Sequence, residues 1–210
     1  MKKIMNYIYE PIKRNKKIVI FILIIFIIGV IFGSLFVNFI NNDDKKALIN
    51  KVGEFITNIK KLDSSIFGLE CFKKNLLSNI FILFFIYILG LSLIGILAVI
   101  FILFFKGFTL GLTIGMFIYK YSLKGVILSF MYLFPCYILI LLIYIFISSY
   151  AVYISFKFIK AIINKSTINF KQFLGKYTLV LIISLISILV CTLIDSYLTP
   201  VVIKLFTLIM

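Results

Sequence analysis

The sequence has no histidine and no tryptophan, and only seven of its 210 residues are acidic. Without histidine, the chain has no imidazole for a proton relay or for a histidine-ligated metal site. Its three cysteines are an odd number without a repeated spacing, so they indicate neither a disulfide framework nor a zinc site. Without tryptophan, anchoring at a membrane surface falls to tyrosine and lysine. We therefore predict no metal site and no cofactor.

Hydrophobic residues, by contrast, make up 63% of the chain, and charged residues only 14%. Soluble domains are about 45–50% apolar and about 25% charged. Because even a domain of about 300 residues buries only about 75% of its surface, this chain cannot hide so much apolar surface in its own core. The bilayer must provide the missing apolar environment. We predict an all-α, polytopic membrane helix bundle, with residues 1–210 forming a single integral membrane domain.

The net charge of +15 comes from basic residues that flank the apolar runs. Residues 1–17 and 157–176 are strongly basic, whereas five of the seven acids lie within residues 41–75. Lysine and arginine accumulate on the cytoplasmic side of membranes and are attracted to anionic lipid. We predict that both basic segments are cytoplasmic, and that the segment 41–75 and the C-terminus lie outside. We expect these basic residues to interact with the lipid bilayer and not with nucleic acid.

The apolar runs supply five spans. An odd number is what a cytoplasmic N-terminal segment and a C-terminus outside require. They cover residues 18–40, two spans within 76–119, residues 126–156 and residues 177–194. The second run would make about 66 Å of helix, about two hydrocarbon thicknesses, so we predict a helical hairpin for spans 2 and 3. A turn at Lys106-Gly107 leaves one arm too short to span. We therefore predict a helix break between Gly90 and Gly95, which gives two similar arms and places Lys106 inside the membrane at a cost of about 2.5–3.5 kcal/mol.

Two prolines predict helix breaks. Pro135 interrupts the fourth span and removes a helix hydrogen bond, so we predict either one kinked helix or a short half-helix followed by a full one. Pro200 follows the fifth span, which we expect to end near Asp195. The ten residues after Pro200 are too few to cross the membrane, so they either re-enter it or lie along its outer surface.

Few polar groups accompany the spans. We predict that Lys106 pairs with Asp195 or with carbonyl groups freed at Pro135 or Pro200, because charges at membrane depth are usually paired or line a polar cavity. The alternative is that Lys106 snorkels and Asp195 lies in water at a helix end. Asn75 and Asn79, at the start of the second span, can hydrogen-bond to a neighbouring helix. No paired carboxylate, nucleophile turn or phosphate-binding loop is present, so we predict no catalytic residue and no enzyme activity.

Three glycines recur at a spacing of four on the helix that carries Lys106: Gly107, Gly111 and Gly115. Small residues at this spacing form a smooth face that another membrane helix approaches closely. We predict that this face packs against a second helix; the alternative is that glycines are simply tolerated in a membrane helix.

The acidic segment 41–75 contains an apolar stripe at helical spacing, which predicts an amphipathic helix. The proposed partner surface on this stripe consists of Leu48, Val52, Phe55, Ile59 and Leu62. Two alternatives are open. Either the stripe receives a partner protein, together with the C-terminal segment, or the helix lies on the membrane or on its own bundle.

Three stretches of the chain resemble the stage II sporulation protein M family. Residues 89–95 have the sequence LGLSLIG, residues 104–115 contain the Lys-Gly-x-x-x-Gly-x-x-x-Gly pattern, and residues 195–200 match the acid-x-x-x-Thr-Pro ending of that family. The basic start, the first span and the length of the outer loop also fit. The resemblance covers most of the chain, and the glycine pattern is its most specific part.

This resemblance implies a non-enzymatic scaffold in the mother-cell membrane of an endospore-forming bacterium. Members of the family help this membrane to migrate around the forespore during engulfment. They act with two cell-wall hydrolases, a peptidoglycan amidase and a lytic transglycosylase, and help to recruit them to the septum. Broader relatives carry Pro-His-Gly and then Glu in the fourth span, but this chain has Pro135-Cys136-Tyr137 there. That departure favours the sporulation branch and a non-catalytic role.

A small membrane channel or transporter is the alternative function. The intramembrane Lys106, the glycine-rich helix and the proline-interrupted spans resemble features of transporters with broken helices. The sequence shows no clear inverted repeat, which weakens this alternative. The oligomeric state and the residues that contact a partner are left open.

Overall fold

The computed structural model describes residues 16–61, 64–92, 95–133, 137–165 and 170–209, and every regular element in these ranges is a helix. The helices are α1 (Lys16–Phe36), α2 (Asn42–Lys61), α3 (Ser64–Gly90), α4 (Gly95–Tyr121), α5 (Leu123–Leu133), α6 (Tyr137–Ile163) and α7 (Phe170–Ile209). The prediction of an all-α bundle is confirmed.

Five of these helices are long and apolar enough to cross a membrane: α1, α3 from Cys71 onwards, α4, α6 and α7 between Leu174 and Lys204. Their outward surfaces carry large apolar side chains, such as Phe32, Leu97 and Phe101, each more than half exposed. Such side chains face lipid at no cost, whereas a contiguous apolar surface of this extent is unusual on a soluble monomer. The chain is a multi-pass membrane protein with the predicted number of spans.

The hairpin turn lies between Gly90 and Gly95, where α3 ends and α4 begins. Because α4 is continuous through Lys106, the competing turn at Lys106-Gly107 does not occur. The hydroxyl of Ser155, on α6, donates to the carbonyl oxygens of Gly90 at 2.8 Å and Ser92 at 3.2 Å. These bonds satisfy carbonyls that the end of α3 leaves without helical partners.

Contacts between the helices define their directions. Gly29 of α1 lies against Phe104 of α4, and Val37 lies against Gly115, so α1 and α4 run parallel. The hydroxyl of Tyr144 on α6 contacts Asn79 of α3, and each of these residues lies eleven positions before the contacting pair Ser155 and Gly90. The helices α3 and α6 therefore also run parallel to each other.

The connections consequently separate into two ends of the bundle. The α3–α4 turn and the residues after α6 lie at one end, and the α4–α5 turn and α2 lie at the other, which we call the outer end. This separation agrees with the alternation of basic and acidic segments in the sequence. Which end faces the cytoplasm stays a prediction from the distribution of charge.

The core of the bundle is built around α6, which has a larger share of its residues buried than any other spanning helix. Ile147, Ala151 and Ile154 on α6 have no or almost no exposed surface. They pack with buried side chains from the other four spanning helices, among them Ile22, Leu83, Val99 and Ile188. Because α6 contacts all four other spanning helices and its remaining outward positions, such as Leu139 and Leu142, face lipid, its sequence is apolar all round rather than amphipathic.

The fourth predicted span consists of two helices in the structure. The 11-residue α5 ends at Leu133, and the full-length α6 begins at Tyr137. This is the second of the two predicted alternatives, a half-helix followed by a full one. Pro135 itself lies outside the described residues. Ser122, with a φ of 51°, separates α4 from α5 in the left-handed region that short polar residues tolerate.

The predicted helix break at Pro200 is wrong, because α7 continues through this residue to Ile209. The predicted end of the fifth span near Asp195 is wrong for the same reason. Ile203, one turn after Pro200, is fully buried against Ile56 and Phe117. This packing holds the turn that follows the proline, and neighbouring helices commonly compensate the lost hydrogen bond in membrane helices. The segment after Pro200 extends α7 at the outer end of the bundle.

Candidate functional site

Lys106 lies near the middle of α4 and is half-buried between helices. Its Nζ atom lies 5.3 Å from the centre of the Tyr144 ring on α6. An ammonium group over an aromatic face is attracted to the ring by about 0.5–2 kcal/mol, with the larger values where water is absent. The described partner of this intramembrane charge is therefore a tyrosine ring.

The same tyrosine connects Lys106 to two further helices. Its hydroxyl donates to the Oδ1 of Asn79 on α3 at 2.8 Å. The Nδ2 of Asn79 donates in turn to the Oγ1 of Thr192 on α7 at 3.2 Å. We call these four residues, Lys106, Tyr144, Asn79 and Thr192, the polar network. It joins α3, α4, α6 and α7 inside the apolar bundle.

Asp195 lies one helical turn beyond Thr192 but has a different partner. Its Oδ1 accepts a hydrogen bond of 2.8 Å from the hydroxyl of Thr199. Among the contacts of the described residues, no salt bridge joins Asp195 to Lys106. Asp195 accepts its hydrogen bond from a hydroxyl one turn away, and Lys106 lies over an aromatic ring. The structure therefore does not bring the predicted pair together.

Sequence reasoning identified part of the polar network only. It pointed to Lys106 as the charge inside an apolar run and to Asn79 as a polar residue on the second span. It missed Tyr144 and Thr192, because the chain has twelve tyrosines and its hydroxyl side chains show no distinguishing spacing. Only the packing of α6 and α7 against α3 selects these two.

The predicted glycine face of α4 packs against α1, backbone to backbone. A Cβ atom added to Gly107 would overlap the carbonyl oxygen of Phe26, and one added to Gly111 would overlap that of Val30. On the opposite side, a Cβ on Gly29 or Gly33 would meet the backbone of α4 in the same way. We call this contact the glycine seam.

Gly29 and Gly33 form the α1 side of the glycine seam, and sequence reasoning missed them. A signal for them exists, because Gly-x-x-x-Gly within an apolar stretch of about 20 residues is a known helix-association pattern. The pattern on α1 complements the one on α4, which explains why helices so far apart in the sequence become direct neighbours. The close approach favours dispersion contacts, since lipid provides no hydrophobic drive between membrane helices.

The amphipathic helix α2 lies across the outer end of the bundle with its apolar face turned inward. Val52 packs against a cluster made by Ile56, Phe117, Leu128 and Ile203. The predicted partner surface is thus wrong for Val52, which packs on the chain's own helices as the alternative of a helix lying on its own bundle predicts. Leu48 instead lines a cavity beneath α2, so a partner at Leu48 stays a prediction. The side chains of Phe55 and Ile59, and Leu62 as a whole, lie outside the described residues.

Two lysines fasten α2 to the end of α4. The Nζ of Lys120 donates to the carbonyl oxygen of Ile49 at 2.9 Å. The Nζ of Lys45 lies 4.7 Å from the centre of the Tyr119 ring. The polar face of α2 remains exposed and carries Asp43, Asp44, Lys46, Asn50 and Glu54. We call this exposed face the outer platform.

A family model described as "Stage II sporulation protein M" matches residues 22–200 of the chain. The matched region contains the glycine seam, the polar network, the outer platform and Pro200. No curated protein and no solved structure matches the chain.

Proposed function

Because the chain belongs to the stage II sporulation protein M family, we propose that it is a non-enzymatic scaffold that recruits cell-wall hydrolases for engulfment. Its place would be the mother-cell membrane at the sporulation septum. The hydrolases proposed as partners are a peptidoglycan amidase and a lytic transglycosylase, which the family resemblance implies. As a multi-pass membrane protein connected with sporulation, the chain has the properties that such a scaffold needs.

The observation that carries this proposal is the attachment of α2 to the bundle. Its apolar residues Val52 and Ile56 pack on the bundle, and Lys120 bonds to its backbone at Ile49. A helix held at both its face and its edge presents its polar side in a fixed orientation. Exposed acidic and basic side chains on such a side give an interaction surface its specificity and register. The outer platform is therefore the surface that we propose for the hydrolases.

The polar groups inside the membrane support a structural role more than a catalytic one. The amide of Asn79, the hydroxyl of Tyr144 and the carboxylate of Asp195 all take part in hydrogen bonds between side chains. Catalysis needs a base and a nucleophile arranged around an accessible reacting atom. Asn79 and Tyr144 instead connect helices, which is the role expected of polar residues within a membrane bundle, and Asp195 bonds within α7.

Co-purification from sporulating cells tests the proposal. The test variant carries Asp43→Lys, Asp44→Lys and Glu54→Lys, which reverse the acidic charges of the outer platform. The control is Lys160→Glu, an exposed charge reversal at the opposite end of the bundle. We expect wild type and control to retain the amidase and the transglycosylase, and the test variant to lose them. Retention of both enzymes by the test variant, at normal membrane levels, would contradict the proposed surface.

The proposed surface requires α2 to lie outside the cytoplasm, and this orientation is tested separately. In a chain whose native cysteines are replaced, a cysteine at the exposed Asn50 of α2 is treated with a membrane-impermeant thiol reagent on intact cells. We expect labelling of this position without lysis, and no labelling of a cysteine at Lys165, which lies at the other end. The opposite pattern would place α2 in the cytoplasm and remove the scaffold proposal with it.

The channel or transporter alternative is favoured by one observation, the position of Lys106 inside a spanning helix. Buried ionisable residues in membranes often mark an ion or substrate path. Its test is solute flux through proteoliposomes that contain wild type or Lys106→Ala. Flux in the wild type that is lost in the variant would support this alternative over the scaffold.

A further inference from the structure

A cavity of about 240 Å³ lies beneath α2 at the outer end of the bundle. On the side of α2 its wall is formed by Leu48, Lys51 and Val52, and on the side of α4 chiefly by Leu112, Thr113 and Met116. The wall is apolar apart from the end groups of Lys51 and a few hydroxyls. The cavity exists because α2 rests on the bundle through Val52 and Ile56 and leaves the adjacent edge of its apolar face uncovered.

The size and lining of the cavity restrict what can fill it. Sites for drug-sized molecules usually measure about 300–1,000 Å³, so the cavity holds only a part of such a molecule or a segment of a flexible chain. A polar solute would lose its hydration there without gaining hydrogen bonds. A flexible hydrocarbon segment loses nothing and fills the volume, and the surrounding bilayer supplies such segments.

The edge of the cavity is positively charged. Lys51 contributes to the lining but is exposed, so its apolar stem follows the wall while its ammonium reaches the surface. Two other lysines near this place have partners: Lys45 lies over the Tyr119 ring, and Lys120 bonds to Ile49. Lys51 has no such partner among the described contacts, including Glu54 one turn further along α2. A hydrocarbon chain with an anionic head at its end matches this arrangement of apolar wall and cationic edge.

We propose that the cavity binds an acyl chain of an anionic phospholipid whose phosphate contacts Lys51. The lipid would fill the uncovered edge of α2 and connect this helix to the membrane surface on which it lies. The seating of the outer platform would then depend on the anionic lipid content of that leaflet. The proposal does not depend on the proposed function, because the cavity and its charge are the same whatever the platform binds.

Native mass spectrometry of the full-length protein tests the charge. The detergent-solubilised protein is incubated with equal amounts of phosphatidylglycerol and phosphatidylcholine of identical acyl chains. We expect wild type to retain the anionic lipid preferentially. Lys51→Gln should reduce this preference about fivefold, the effect of one lysine near a lipid phosphate. The control is Lys46→Gln, an exposed lysine of α2 that does not line the cavity, and it should keep the preference.

A second pair of variants tests the acyl chain. Thr113→Leu places additional side-chain volume in the cavity, and Thr109→Leu, one turn earlier on an exposed position of α4, leaves it open. We expect the first variant to lose retained lipid of either head group and the second to keep it, with both eluting as monodisperse protein. Equal retention of both lipids by wild type, an equal loss in Lys46→Gln and Lys51→Gln, or undiminished lipid in Thr113→Leu would each overturn the proposal.

Discussion

The ammonium of Lys106 lies 5.3 Å from the centre of the Tyr144 ring, which gives the intramembrane charge an aromatic partner on a different helix. The cation–π contact does not compensate the full cost of placing the lysine inside the membrane. Placing a lysine inside a span costs about 2.5–3.5 kcal/mol on insertion scales, and a desolvated cation–π contact returns about 2 kcal/mol. Stability alone therefore does not explain a lysine at this position.

Replacing Lys106 by methionine should stabilise the bundle. Methionine has similar length, keeps an apolar contact with the Tyr144 ring and removes the cost of burying a charge. We expect the free energy of unfolding in mild detergent to rise by about 1 kcal/mol, which is about the difference between the insertion cost of lysine and the gain from the cation–π contact. Lys106→Arg, which keeps a cation over the ring, is the control and should not show this gain. A clear loss of stability in Lys106→Met would show that the charge has a further stabilising partner.

Replacing Asn79 by leucine should destabilise the bundle, because it removes the bonds to both Tyr144 and Thr192. Side-chain hydrogen bonds between membrane helices contribute about 0.6 kcal/mol on average and about 1.7 kcal/mol at most. We expect a loss of about 1–2 kcal/mol in detergent unfolding. Asn75→Leu, an exposed asparagine one turn earlier on the same helix, is the matched control and should be neutral. Equal effects of the two changes would mean that the polar network does not stabilise the bundle.

Adding one methyl group at Gly111 should separate α1 from α4. The new Cβ would overlap the backbone of Val30, which cannot rotate away as a flexible side chain can. Overpacking of this kind typically costs about 1–3 kcal/mol, so we expect Gly111→Ala to lower stability by that amount, and Gly111→Leu to lower accumulation in cells. Gly175→Ala is the control, because no atom lies within 4 Å of its added Cβ. Its expected effect is neutral or a gain of up to about 1 kcal/mol from helix propensity.

Removing Pro200 should strengthen α7. Proline inside a helix is about 3 kcal/mol less favourable than alanine, because it lacks the amide donor and crowds the preceding turn. Since the helix already continues through this position, Pro200→Ala should restore one hydrogen bond without changing the fold. We expect higher thermal stability in detergent, by up to about 3 kcal/mol. Unchanged stability would mean that α7 is bent at Pro200 in a way that packing at the outer end requires.

Shortening Ile203 should loosen the outer end of the bundle. This side chain is fully buried with Ile56, Phe117 and Leu128. Truncation of a buried isoleucine to alanine costs about 2–5 kcal/mol, since a cavity remains. We expect Ile203→Ala to release α2, measured as faster proteolysis after the exposed lysines of α2, with Val201→Ala, at an exposed neighbouring position, as the control. Protection of α2 equal to that in wild type would show that α2 is held without this cluster.

The glycine seam shows how much of the site was within reach of sequence reasoning. The glycine spacing of α4 predicts a packing face, but the partner could be any of four helices. The sequence also contains the matching Gly29-x-x-x-Gly33 pattern of α1, which would have identified α1 as the partner helix. The polar network shows the opposite case. Asn79 and Thr192 are 113 residues apart, and no local pattern connects them.

By itself, the sequence determined that this chain is helical and crosses a membrane five times. The bilayer acts on each segment separately, so apolar length and flanking charge decide the spans without reference to any other helix. Only the tertiary structure decided that α2 turns its apolar face inward, that α7 continues through Pro200, and that Lys106 faces Tyr144 rather than Asp195. Those outcomes depend on which faces of distant helices meet, and because lipid is as apolar as the side chains, close packing and hydrogen bonds select the partners where hydrophobicity does not.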